Sequence, residues 1–130
     1  MPTTTANRLF SSVSPDRFHL LKLGNEPDTT RINSFLNFRK EEIASATGIP
    51  VQSIRYDERM PEALRERVIE WAVAINLVGN FFQNEQETAL WFQTPNPLLG
   101  GITPKEMIRR GRFRKLLNFI QTALAENNPN

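Results

Sequence analysis

The sequence predicts an all-α protein, a small helical bundle, and three observations lead there. Beyond residue 28, apolar residues recur at three- and four-residue steps through most of the chain. The prolines fall at the edges of those periodic stretches. Helix-start signatures, "TPKE" above all, stand where the periodic stretches begin. With 130 residues, 39% hydrophobic and including nine Phe and two Trp, the chain is long and apolar enough for one core, or for two small subdomains sharing it.

Residues 1–28 form a poorly defined segment. Pro15, Gly24 and Pro27 interrupt "DRFHLLKL", where residues 16–23 suit a short helix. "TTRINSFLNF" then spaces Ile32, Phe35, Leu36 and Phe38 as a short amphipathic helix. In "RKEEIASATGIPVQSIRYD", Ile43 and Ala44 face inward and Gly48 supplies a turn with positive φ. Pro50 opens a second short helix pinned by Ile54. Ala44, Gly48 and Ile54 have the spacing of a helix-turn-helix. Its outer face would present Gln52, Ser53, Arg55 and Tyr56, side chains able to meet bases or phosphates, so these are the candidate DNA-binding residues. A purely structural helical hairpin fits the same residues, because the segment has no net positive charge to drive affinity.

Pro61 opens a long helix whose Leu64, Val68, Trp71, Ala72, Ile75, Val78 and Phe82 repeat at helical steps. Its second half is apolar nearly all round, as befits a buried helix or a dimer interface. Asn84 and Glu87 cap the next helix, "EQETALWFQ". "TPNPLLGG" follows: two prolines stop and stiffen the chain, and two glycines admit backbone angles closed to other residues. Leu98 and Leu99 are either held out by the prolines or folded beneath them. Thr103, Pro104 and Glu106 restart a helix as N-cap, first residue and capping-box partner, and Gly111 ends it. Phe113, Leu116, Leu117, Ile120 and Leu124 make the inner face of the last helix. The organisation is thus a segment 1–28, a helix-turn-helix and linking helix over 29–83, a three-helix unit over 84–126 and a tail, 127–130.

Composition narrows the function classes. No apolar run reaches the roughly 18 residues of a membrane span, and the N-terminal stretch lacks the apolar core of a signal peptide. Cysteine is absent, so neither disulfides nor thiolate chemistry enter, and the chain reads as cytoplasmic. His19 is the one histidine, too few for a catalytic triad or a metal site. Glu41, Glu42, Glu85 and Glu87 read as helix-surface charges. Gly100-Gly101 lacks the spacing and lysine of a phosphate loop. No enzyme, metal or cofactor is therefore expected. Residues 61–94 carry two basic and five acidic groups, whereas residues 95–130 carry six basic and two acidic. That basic end suits nucleic acid or an acidic protein surface, and equally a solvated helix face.

"WFQTPNPLLGGITPKEMIRRG", residues 91–111, resembles the signature of the Xre/MbcA/ParS antitoxin family in its C-terminal toxin-binding domain. Trp91, Pro95, Asn96, Pro97, Leu99, Gly100, Thr103, Pro104 and Gly111 carry the likeness, which extends over about residues 30 to 126. The basic "RRGRFRK" departs from it, since members often have an acidic or small residue around Gly111. The resemblance implies a type II antitoxin without cofactor. It would bind a cognate toxin, commonly an NAD-consuming RES-domain protein, by covering its active-site cleft, and would repress its own operon by binding operator DNA as a homodimer. It places toxin contacts at Pro95, Asn96, Leu98, Gly101, Arg109, Arg112 and the tail after Leu124. The alternative is a solitary helix-turn-helix transcriptional regulator without a toxin partner.

Overall fold

The structure is a computed structural model that describes residues 15–23 and 26–127. Among them are six α-helices and no strand, apart from one isolated antiparallel bridge, Leu21 to Pro27. The helices are α1 (Thr29–Leu36), α2 (Lys40–Thr47), α3 (Glu62–Phe82), α4 (Glu85–Phe92), α5 (Pro104–Arg109) and α6 (Phe113–Glu126). The expected small all-α bundle is what forms.

Local chemistry sets most boundaries. Asp28 caps α1, its carboxylate accepting from the Arg31 N–H at 3.2 Å. Asn37 ends that helix in the left-handed region. The Glu42 carboxylate reaches back to the Arg39 N–H at 2.9 Å, and Gly48 ends α2 at φ 75°. Asn84 caps α4 through the Glu87 N–H at 2.8 Å. Thr103 caps α5 through the Glu106 N–H at 2.9 Å. The second half of the expected α5 capping box does not form, because the Glu106 carboxylate turns to Arg109 and Arg110 instead.

Two expectations fail. Residues 16–23 make no α-helix: the Asp16 carboxylate accepts from the Leu20 and Leu21 N–H groups at 2.8 and 2.9 Å, pulling the chain into a turn with His19 at φ 56°. Phe18 and Leu20, two residues apart, both enter the core. Nor does a second helix follow Pro50. Only a three-residue 3-10 turn, Val51–Ser53, forms before Ile54 leaves in an extended conformation to bury itself. β-branched Val51 and Ile54 resist helix, and the Asp57 side chain claims the Arg59 N–H at 2.9 Å, starting a new turn before a helix could propagate. The helix-turn-helix reading loses its second helix.

The central long helix, α3, is the spine. Helices α1 and α4 pack against it and against each other, α6 lies along it, and α2 rests on α5. One contiguous cluster forms the core, drawing Ile32, Leu36, Ile43, Leu64 and Ile75 together with Phe92, Met107, Ile108, Leu116 and Ile120. Trp71, 1% exposed, meets Phe38 edge-on at 5.5 Å between centroids. The apolar face of α3 that carries Trp71 is thus spent inside the chain. The segment before α1 is strapped to α3: Asn76 donates to Asp16 at 3.2 Å, Asn80 donates to the Pro15 carbonyl at 3.0 Å, and the Phe18 ring lies so close over Gly79 that a Cβ there would meet it at 2.3 Å.

Candidate functional site

Residues 94–103 answer the question their composition raises. Asn96 is the hub of a closed loop. Its side-chain oxygen accepts from the Leu98 N–H at 2.9 Å, and its carbonyl accepts from Leu99 and Gly101 at 2.9 and 3.0 Å. Its own N–H donates to the Ile102 carbonyl at 3.0 Å. Pro97–Leu99 form one 3-10 turn, and Gly100 and Gly101, at φ 80° and 86°, turn the backbone through the left-handed region to complete the circuit. Leu99 folds inward against the core, whereas Leu98 is held outward and is 78% exposed. Both alternatives for the leucine pair are realised, one residue each.

Leu98 stands at the lip of an apolar groove of about 210 Å³. Phe81 and Phe82 at the end of α3 form one wall and Trp91 of α4 another, while Phe119, Ala123 and Leu124 of α6 close the far side. Phe81 is 54% exposed. Asn96 also reaches the lining, its side-chain oxygen and backbone polar groups already committed to the loop. Such a surface has little to offer a reacting group and much to offer an apolar side chain of another protein.

Of the residues expected to contact a toxin, Asn96 and Leu98 line this groove. Pro95 and Gly101 are exposed in the same loop without lining it. Arg109 lies elsewhere, on α5, where its guanidinium and that of Arg110 (Nε at 2.7 Å) bracket Glu106. Those hydrogen bonds, Arg109's first, hold the Glu106 carboxyl down to about 2 and raise Arg109 above its usual value. Arg112 is exposed at the start of α6. Phe81 and Phe119 carry no signal of a site in the sequence, where they are indistinguishable from core positions, and Trp91 is marked there only as part of the resemblance.

The residues expected to read DNA are scattered on a loop. Gln52 and Ser53 lie in the 3-10 turn, and Arg55 is exposed beyond it. Tyr56 lies under the Lys40 ammonium, 5.8 Å above its ring, and partial burial pushes its phenol up against the opposing hydrogen bond from Asn33. No helix presents these four residues together. Among the described residues no helix is long and apolar enough to cross a membrane, and no group of three or more His, Cys, Asp or Glu is placed to hold a metal.

No protein-family description and no curated protein sequence matches the chain. Among solved structures it is similar to a chain of the M. tuberculosis MbcT–MbcA toxin–antitoxin complex, at 22% identity and a TM-score of 0.47, over 76% of this chain and 91% of that one.

Proposed function

We propose that this chain is a protein-binding inhibitor of the antitoxin type, which docks its toxin through the groove beside Leu98. The observation that carries the reading is a self-bonded loop that holds a leucine outward at the lip of an apolar groove. That loop is also the segment whose residues resemble the toxin-binding signature. On that resemblance the partner is a RES-type, NAD-consuming toxin whose active-site cleft the chain covers. Operator binding is left out, because the residues meant to read bases sit on a 3-10 turn and an extended stretch; the solitary-regulator alternative loses its carrying element for the same reason. A homodimer, also implied by the resemblance, is left with the half-exposed Val73 side of α3, since the Trp71 side is internal.

Co-purification from the native host at moderate salt tests the reading. The tagged chain should retain a stoichiometric partner whose NAD-consuming activity is silent in the complex. Leu98→Asp, which places a charge where an apolar contact is proposed, should weaken retention at least about tenfold while leaving the circular dichroism unchanged. Recovery of the chain alone, or equal retention by Leu98→Asp, overturns it.

A further inference from the structure

Resting on that docking groove, we propose that its occupant is an amphipathic protein segment bearing an apolar anchor for the groove and carboxylates for Arg112 and Lys115.

The periodicity of α6 joins the two features. Phe119, Ala123 and Asn127 line the groove at four-residue steps. Lys115 lies four residues before Phe119 and so continues the same edge of the helix, about 6 Å along its axis at 1.5 Å per residue. Arg112 is the residue that precedes the first turn and stands at the start of the helix. A segment seated against Phe119 and running along α6 would meet the two cations in turn.

These cations differ from the other basic residues of the last quarter. Arg109 and Arg110 are bound to Glu106, and Lys105 donates to the Asn37 carbonyl at 3.0 Å with Glu42 at 3.8 Å. Arg112 and Lys115 are exposed and, among the described residues, have no ion-pair partner. Arg114, the third such cation, lines a different cleft beside Arg67 and Glu70. The fold itself gains nothing from cations at this end of α6: its first turn has no acidic residue, Arg112 makes no side-chain cap, and positive charge opposes the helix dipole there. The groove is lined by apolar side chains and Asn residues, with no charged group. Apolar lining and adjoining cations together favour an acidic amphipathic segment, because the phosphates of a nucleic acid leave such a groove empty.

Two synthetic helical peptides of about 15 residues, long enough to hold a helix on binding, test this. They share one leucine face and carry either glutamate or lysine along its flank. Each is titrated into the uniformly labelled full chain and followed by amide NMR. The glutamate peptide should shift Leu98, Phe119 and Ala123 together with Arg112 and Lys115, and bind at least about tenfold more tightly than the lysine peptide. Arg112→Gln/Lys115→Gln should abolish that preference, and Arg112→Glu/Lys115→Glu should reverse it. The acidic pair suits the start of a helix, so reversal of preference would not reflect unfolding. Equal binding of both peptides in the groove overturns the charge inference and leaves the docking groove standing. Absence of shifts in the groove residues with either peptide overturns both. Shifts of Arg112 and Lys115 by a short single-stranded RNA, stronger than by the glutamate peptide, overturn the assignment to protein.

Discussion

Glu106 shows how one side chain can be claimed by a neighbour other than the one its motif suggests. The Thr-Pro-Lys-Glu spelling predicts a carboxylate reaching back to the cap, yet the two arginines that follow supply charged donors at close range, and charge-assisted hydrogen bonds prevail. The sign of the pH effect follows. With its folded value held near 2 against an ordinary 4.5, the carboxylate contributes stability that is complete above pH 4.5 and is lost as pH falls towards 2. Solvent screening limits the contribution to about 1 kcal/mol. In urea melts, wild type should exceed Glu106→Gln by that amount at pH 6, with the gap narrowing steadily as pH falls from about 4.5 towards 2. A gap that is independent of pH would show that the ion pairs contribute nothing.

At the scale of the element, the helices that were legible in the sequence are those with their own signals. Residues 29–36, 40–47, 62–82, 85–92, 104–109 and 113–126 each carry apolar spacing, a cap or a breaker of their own. The stretch after Pro50 had a start signal only, and a start cannot hold a helix without residues to propagate it. The strap before α1 was illegible for another reason: its fate is decided by Asn76, Gly79 and Asn80, some 60 residues away. Part of the site was legible too, since the odd spelling of residues 94–101 flagged the loop. The groove was not, because its walls come from the ends of three helices. The 3-10 segment offers a direct check. Ile54, 1% exposed, should cost about 2–4 kcal/mol on truncation to Ala, whereas exposed Gln52→Ala should stay within about 0.5 kcal/mol. Comparable losses in chemical denaturation would mean that Gln52 is held by contacts absent from this fold.

The described residues share one core and are not a chain of independent modules. Phe92, Met107, Ile108, Leu116 and Ile120 share a cluster with residues of α1 to α3. Polar ties cross the same span: Gln93 donates to the Phe35 carbonyl at 2.9 Å, and Arg31 meets Glu85 at 3.2 Å. Unfolding should therefore be a single transition, with far-UV circular dichroism and tryptophan emission giving coincident midpoints in urea. Separated midpoints would reveal that residues 84–126 melt on their own.

The two tryptophans give that molecule a built-in optical readout. Trp71 is sealed in the interior, whereas Trp91 is partly open and forms a wall of the groove. Iodide should quench the second and spare the first. A partner that fills the groove should then shield Trp91 and shift its emission to the blue, so docking can be followed in the unlabelled protein. In a Trp91→Phe variant the remaining emission should ignore the partner and report folding alone.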